Sequence, residues 1–333
     1  MAQPKKKILA IINPISGIRP KNNLPDLIRE NINPELFDID IALTEYAGHA
    51  TLLARNAVEK NTDYVLAIGG DGTINETAKA LIHTKTALGI VPLGSGNGLA
   101  RHLQIPLEIT KSLKVINEEH VIQLDYCTAN DHIFFCTAGL GFDALISKKF
   151  SEDKHRGGIT YLKNVLTEYL SYEPHSYQII THGGKVVEKA FLIACGNASQ
   201  YGNNAYIAPG ANMQDGLMDI TVIKPFNHLE APQLAIQLFT KQLAKNSKIE
   251  ILQDSAIKII LEKPEVMHVD GEPIMMDKEI EVKTIARGLN ILTPANPTHS
   301  IIDPVKHAFE EVHYNLVYDI KEVFRKPSLT FRK

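Results

Sequence analysis

Residues 64–76 read Tyr64-Val65-Leu66-Ala67-Ile68-Gly69-Gly70-Asp71-Gly72-Thr73-Ile74-Asn75-Glu76. The apolar run has the length and the Val/Ile/Tyr content of a buried parallel strand, and it breaks into two glycines, an aspartate and a third glycine. A helical pattern starts at about Thr73, with Ile74, Thr77, Ala78, Leu81 and Ile82 on one face. A strand, a glycine turn and a helix start are the parts of a phosphate cradle. Glycine lets the backbone approach closely, and the free N–H groups of the first helical turn point at the anion. The carboxylate of Asp71 is out of place beside a phosphate unless it accepts a proton or sits near Mg2+. The alternative is a plain Asp-Gly turn after a strand.

The same element recurs. Ala87-Leu88-Gly89-Ile90-Val91-Pro92 runs into Leu93-Gly94-Ser95-Gly96-Asn97-Gly98 and a helical pattern, and Lys7-Ile8-Leu9-Ala10-Ile11-Ile12 runs into Asn13-Pro14-Ile15-Ser16-Gly17. In an open parallel sheet such loops gather at the carboxyl edge, where ligands bind. No G-x-x-x-x-G-K-S/T occurs, and Gly94-Ser95-Gly96-Asn97-Gly98-Leu99 lacks the third glycine of G-x-G-x-x-G. A P-loop phosphotransferase and a dinucleotide dehydrogenase are therefore poor readings.

Up to about residue 125, strands alternate with helical patterns at 23–30, 47–59, 73–82, 97–103 and 107–117, which predicts a doubly wound parallel sheet. Beyond it, runs at 132–138, 176–182, 186–194, 219–223, 257–262, 266–269 and 279–284 read as strands, with helical stretches at about 159–171 and 229–246. The expected layout is an α/β nucleotide-binding domain over 1–125, a mostly antiparallel β-sandwich over 126–292 and a C-terminal segment over 293–333, with the site in the cleft between the domains. A net charge of −3 gives no case for nucleic acid as a partner. Cys127, Cys136 and Cys195 are scattered in apolar or small-residue contexts, as reduced core residues are, which favours a cytoplasmic setting. No apolar run of about 18 residues and no signal-peptide pattern is present.

Taken in order, Asn13-Pro14-x-Ser16-Gly17, Thr44 with His49-Ala50, Gly69-Gly70-Asp71-Gly72-Thr73 and Pro92-Leu93-Gly94-Ser95-Gly96-Asn97 form one series, which Ile207-Ala208-Pro209, Asp215-Gly216-Leu217-Met218-Asp219 and Val269-Asp270-Gly271-Glu272-Pro273 complete. This series resembles the diacylglycerol kinase catalytic-domain family of lipid kinases, which includes sphingosine and ceramide kinases, over about residues 7–292. Gly-Gly-Asp-Gly-Thr alone is shared with NAD kinases and some phosphofructokinases. The resemblance implies ATP with Mg2+, a membrane-lipid acceptor such as diacylglycerol or a sphingoid base, and peripheral contact with the inner face of a membrane; a homodimer is plausible for this size and class. An NAD-kinase-like soluble phosphotransferase and a catalytically silent relative are the competing readings.

Through the resemblance, Asn13, Pro14, Ser16, Gly17, Thr44, the run Gly69, Gly70, Asp71, Gly72, Thr73, Asn75 and Glu76, and the run Gly94, Ser95, Gly96 and Asn97 are candidate nucleotide contacts. Without it, Thr44 and Asn97 read as helix caps and Asn13-Pro14 as a turn. Asp270 and Glu272 flank a glycine after a strand; a hairpin turn is one reading, and two carboxylates near a nucleotide suit phosphoryl transfer. The resemblance makes Glu272 the preferred proton acceptor with Asp270 in support, and Asp71 the rival base. It also implies a structural Mg2+ held in the loop of Asn212, Asp215 and Leu217, against a plain turn with a solvated aspartate.

The Ser95-Gly96 before Asn97 tilts the acceptor slightly towards a sphingoid base. Residues 304–322 read as an amphipathic helix and 325–333 as a basic tail, and Lys148, Lys149, Lys154 and Arg156 form a second basic cluster; each is a candidate membrane contact or plain solvated surface.

Overall fold

The computed structural model describes residues 4–16, 23–152 and 168–296. The expectations for Gly17, Lys154, Arg156, most of the helix at 159–171 and the segments 304–322 and 325–333 fall outside the described residues.

Four strands, β1 (Lys6–Ile12), β2 (Phe37–Leu43), β3 (Tyr64–Gly69) and β4 (Ala87–Pro92), pair in parallel in the order β2-β1-β3-β4. Every residue of β3 and β4 is buried, whereas edge strand β2 alternates. The alternation of side chains along a strand splits β3 between two cores. Tyr64, Leu66 and Ile68 pack with Leu24 and Ile28 of α1 (Leu24–Asn31) and with Leu113 and Ile116 of α5 (Ile109–Asn117). Val65 and Ala67 pack with the alanines of α2 (His49–Glu59) and with Ile74, Ala78 and Leu81 of α3 (Asp71–Leu81). Helices thus cover both faces of a doubly wound sheet. Its order reverses between β1 and β3, and that is where such sheets open a ligand crevice.

The second half is two antiparallel layers. One contains β7 (Thr137–Gly141), β10 (Leu192–Gly196), β11 (Met218–Ile223), β12 (Ile249–Asp254), β14 (Glu265–Val269) and β15 (Glu272–Met276), in the order β12-β11-β10-β7-β14-β15. The other contains β8 (His175–Thr181), β9 (Gly184–Ala190), β13 (Ala256–Leu261) and β16 (Glu279–Leu292). Tyr177, Ile179, Ile259 and Val282 of this layer meet Leu140, Ile193, Ile220 and Met267 of the first across the sandwich core.

Strand β16 joins the halves. Its start pairs with β13, its far end runs parallel to β4 at Ile291↔Leu88, and it pairs antiparallel with β5 (Val121–Ala129), its register shifting between Ile285 and Leu289. The expected strand at 279–284 therefore continues to Leu292. With β6 (His132–Phe134) branching from β5, one ten-stranded sheet runs through both halves.

Other expectations are corrected. The run at 132–138 is β6 and β7, because the N–H groups of Phe135, Cys136 and Thr137 turn onto Asp270 instead of a neighbouring strand. The run at 186–194 is β9 and β10, in different sheets, broken at Phe191, whose backbone bonds Phe142 and Ile223. The helix at 229–246 is α7 (Ala231–Phe239) and a 3-10 turn over Leu243–Lys245, interrupted by Lys241 at φ 59°. The helix α6 (Phe142–Glu152) and strands β12 and β15 lie outside the expected elements; β15 carries Pro273, which the sheet edge tolerates.

Candidate active site

Register brings the loops together. Ile12 pairs with Leu43 and Ile68, and Gly69 with Pro92, so the four parallel strands end along one edge. The Asn13 amide donates to Thr73 Oγ1 at 3.1 Å, its Oδ1 accepts the Ile15 N–H at 3.1 Å, and Ser16 Oγ donates to the Asn13 carbonyl at 3.0 Å. Thr44 follows β2, its N–H donating to Ile12 O. The residue capping α2 is not Thr44 but Gly48 at φ 87°, whose N–H donates to Glu76 Oε1 at 2.9 Å.

The Gly70 and Gly94 loops touch backbone to backbone. A Cβ on Gly94 would lie 2.8 Å from the Gly70 Cα, and one on Gly69 would lie 2.6 Å from Thr73 Cβ. Asp71 locks the pair: its Oδ2 accepts the Asn97 N–H and its Oδ1 the Gly98 N–H, both at 2.8 Å. A carboxylate at a helix start is favoured by the free N–H groups and the dipole there. Asp71 thus takes the capping role for α4 (Gly98–His102) that was expected of Asn97. Asn97 itself adopts φ 50°, and its amide closes the loop onto Gly94 O at 2.8 Å; its buried Oδ1 has no hydrogen-bond partner. Ser95 is exposed, and no hydrogen bond engages its hydroxyl among the described residues. Gly72 lies on the exposed side of the helix start.

The second half closes on these loops at two points. First, the Asn75 amide donates to Asp270 Oδ2 at 2.6 Å. That carboxylate also accepts the N–H of Phe135 and Cys136 at 2.8 Å and of Thr137 at 3.0 Å. Burial pushes the Asp270 carboxyl up, and the three backbone N–H groups and the charge of Lys79 oppose the rise. Asp270 and Gly271 have φ 49° and 85°, the two left-handed positions of a type I′ hairpin turn joining β14 to β15. Glu272 follows, exposed and paired with Val269 through the strand ladder, and its carboxylate has no hydrogen bond or ion pair among the described residues. Burial, Asp270 and Asp71 all raise the Cys136 thiol, so both carboxylates lie within electrostatic reach of it.

Second, a turn of the second half backs the Gly96 loop. Asn203 N–H and Arg101 Nε both donate to Gly96 O, and a Cβ on Gly202, at φ 120°, would lie 3.0 Å from the Gly96 backbone. His102 Nδ1 accepts the Ser199 N–H at 3.0 Å, and burial lowers this histidine to about 4.

Beside that turn lies a cluster the sequence did not reveal: Asp143 Oδ2 accepts the Tyr201 hydroxyl at 2.8 Å and lies 3.1 Å from His268 Nε2. The three residues come from three elements with no motif among them. Asn212 and Asp215 lie on another loop. Asn212 Oδ1 accepts the Gln214 N–H and Asp215 Oδ1 the Leu217 N–H, two local turns, and the loop is tied to Asp125 through Gly216 N–H at 2.7 Å. No hydrogen bond joins it to Asp71, Asp270 or Glu272 among the described residues. Buried Asp219, the last residue of the Asp215-Gly216-Leu217-Met218-Asp219 stretch, lies near enough for the Asp215 charge to add to the burial that raises its carboxyl.

The three cysteines are free; burial pushes Cys127 and Cys136 well up and Cys195 up to about 12, so all three are inert core thiols. Among the described residues no helix is long and apolar enough to cross a membrane.

Comparison with known proteins gives this geometry a family. A model described as the diacylglycerol kinase catalytic domain matches residues 7–129, and one described as the YegS C-terminal NAD kinase beta sandwich-like domain matches residues 136–292. A Chromohalobacter salexigens protein named "Probable lipid kinase YegS-like" is 31% identical over 239 residues, 70% of this chain and 77% of that protein. An uncharacterized Synechocystis protein is 29% identical over 304 residues, 85% of this chain and 69% of its own length. A crystal structure of a diacylglycerol kinase from Bacillus anthracis shares the fold with a TM-score of 0.69 at 22% identity, covering 87% of this chain and 97% of that one. An NAD kinase from Archaeoglobus fulgidus, solved in complex with ATP, shares it at 0.52 and 13% identity, covering 90% and 99%. With both halves matched and the strand-end loops in place, the chain belongs to the diacylglycerol kinase catalytic-domain family of lipid kinases.

Proposed function

We propose that this kinase moves the γ-phosphoryl of ATP onto the hydroxyl of a membrane lipid, a diacylglycerol or a sphingoid base, in the cleft between the start of α3 and the β14–β15 hairpin. The observation that carries the reading is the Asn75–Asp270 bond, which sets the hairpin bearing Glu272 against the helix start that bears Asp71.

The phosphates fit the loops. Gly70 and Gly94 leave no side chain between the strand ends, and the hydroxyl of Ser95 is an unengaged donor. Asp71 and Asp270 have both oxygens committed to N–H donors, so their part is to hold the loops and the hairpin. Glu272 is the unengaged carboxylate of the three. It takes the proton of the attacking lipid hydroxyl as the oxygen–phosphorus bond to the γ-phosphoryl forms and the bond to the leaving ADP breaks.

Mg2+ arriving with the triphosphate would neutralise its charge. Among the described residues no group of three His, Cys, Asp or Glu forms a cage for a metal. A second, structural Mg2+ would be held in the loop of Asn212, Asp215 and Leu217, where Asp215 would supply the carboxylate. Because the acceptor lives in a bilayer, the enzyme works in peripheral contact with a membrane.

The test is transfer of label from γ-labelled ATP, with Mg2+, to diacylglycerol, monoacylglycerol, sphingosine, dihydrosphingosine, ceramide and phosphatidylglycerol in mixed micelles, with soluble NAD+ alongside. Label on one lipid class supports the reading and names the acceptor. Label on NAD+ alone overturns it.

A further inference from the structure

Asp143 opens helix α6, and its carboxylate serves two directions. Oδ1 accepts the N–H of Ala144 at 2.8 Å, an ordinary task for an acid in the first turn of a helix. Oδ2 turns away from the helix, accepts the Tyr201 hydroxyl at 2.8 Å and lies 3.1 Å from Nε2 of His268. A carboxylate at that distance calls for a proton on Nε2, and His268, 3% exposed, has no partner at Nδ1 among the described residues. Gly139, opposite His268 in the β7–β14 ladder, leaves the room. A Cβ there would collide with Asp143 Oδ2 and stand 2.9 Å from Nε2 of the imidazole.

The three residues belong to the three elements that frame the cleft on the sandwich side. His268 stands two residues before Asp270, in the strand that leads into the Glu272 hairpin. Helix α6 packs along β7, β14 and β15, and its Ser147 hydroxyl donates to Gly271 O at the tip of that hairpin. Tyr201 begins the turn that backs the phosphate loop. Its carbonyl oxygen would lie 3.3 Å from a Cβ on Gly98, whose N–H Asp71 holds, and the next residue, Gly202, abuts Gly96. Asp143 therefore connects the hairpin that bears Glu272 to the loop clasped by Asp71. This path is separate from the Asn75–Asp270 bond, which fastens the same hairpin to α3.

We propose that Asp143 is a positioning residue for phosphoryl transfer: by holding Tyr201 and His268 on one carboxylate, it sets the hairpin of Glu272 against the 94–98 loop. The inference rests on the reading of the protein as a kinase with Glu272 as its base. Proton transfer needs base and hydroxyl within hydrogen-bond reach, and a misplacement of about 1 Å can cost about a hundredfold in rate. Asp143 acts through these elements and not on the reactants, so its loss falls on kcat and leaves binding alone. Asp143→Asn is the sharpest change. One oxygen still serves Ala144, while the amide turns its own N–H groups towards two donors.

Turnover of the full chain is measured with γ-labelled ATP and diacylglycerol or sphingosine in mixed micelles, beside ATP affinity and melting temperature. Asp143→Asn is expected to lower kcat about 10- to 100-fold, with KM and ATP affinity within about twofold of the wild type. Tyr201→Phe deletes one hydroxyl, keeps the ring and should lower kcat several-fold; it decides the matter if Asp143→Asn does not fold. His268→Gln, whose amide donates to Asp143 as Nε2–H does, should keep kcat within a few-fold of the wild type. Ile259→Val in the sandwich core is the destabilised control and should turn over at the wild-type rate. In the Glu272→Ala background Asp143→Asn should cost little more, because the base it positions is gone. Wild-type kcat in Tyr201→Phe or in a folded Asp143→Asn, a loss carried by KM or ATP affinity, an equal loss in Ile259→Val, or the full loss in the Glu272→Ala background would each overturn the inference. A His268→Gln variant as slow as Asp143→Asn would make the imidazole itself a proton carrier and overturn it too. A wild type that phosphorylates no lipid refutes the kinase reading and takes the inference with it. Lipid turnover untouched by these variants refutes the inference alone.

Discussion

The side-chain amide of Asn75 donates to Oδ2 of Asp270 at 2.6 Å, across 195 residues of sequence. This bond fastens the first turn of a helix in the parallel sheet to a hairpin turn of the sandwich. The two halves of the candidate site are held in one geometry through it.

Asp270 should be a stability residue before it is anything else. Its carboxylate accepts four N–H groups, so Asp270→Asn turns an amide donor towards at least one of them, with a loss of about 2–4 kcal/mol. Asn75→Ala leaves one lone pair of a half-buried carboxylate unmatched and should cost about 1–3 kcal/mol. Denaturant unfolding checks both, and the double variant should lose less than the sum because the two residues share a bond.

Asp71 and Glu272 should separate in the same experiment. Asp71→Ala releases the N–H groups of Asn97 and Gly98, so it is expected to lower stability by about 1–3 kcal/mol and to weaken ATP binding. Glu272→Gln touches an exposed side chain with no polar partner among the described residues, and its melting temperature should stay at the wild-type value. Calorimetric melting with ATP titration measures both effects.

Gly94→Ala should abolish ATP binding without unfolding the sandwich. The added Cβ would meet the Cα of Gly70 at 2.8 Å, and backbone cannot swing aside as a side-chain tip can. The two loops must part, and the phosphate cradle opens. Nucleotide-dependent thermal stabilisation, present in the wild type and absent in Gly94→Ala, is the readout.

His102 makes stability depend on pH. Burial holds it neutral in the fold, with a pKa lowered from 6.5 to about 4. Between those values the unfolded chain binds a proton that the folded chain does not, so stability falls as pH drops from 6.5 towards 4 and is fully present above 6.5. The full span is worth about 3 kcal/mol. His102→Gln should flatten this part of the curve in unfolding measured across the range. The physical cause is local: a proton on Nδ1 takes away the lone pair that accepts the Ser199 N–H and docks α4 on the second half.

Legibility follows the range of the interactions. The strand-end loops at Asn13, Gly69–Asp71 and Gly94–Asn97 are readable because strand, glycines and helix start are contiguous. Asp270-Gly271 is readable as a hairpin turn, and it is one; its second role depends on Asn75 and on Phe135 to Thr137, far away in sequence. Asp143, Tyr201 and His268 carry no local pattern at all, since they meet only when β14, α6 and the 199–206 segment fold together. The length of β16 escapes for a related reason: the shift between Ile285 and Leu289 breaks the alternation from which strands are read. Asp71 stands out as chemistry by its place beside a phosphate cradle, whereas its hydrogen bonds make it the clasp between two loops.

Whether Glu272 is the base is decided by turnover of Glu272→Ala on the acceptor lipid, measured beside its ATP affinity and melting temperature. The expected result is a loss of about 10²–10⁴ in kcat with binding and stability unchanged, the signature of a removed general base. Turnover within a few-fold of the wild type would contradict this role and move the proton to another group.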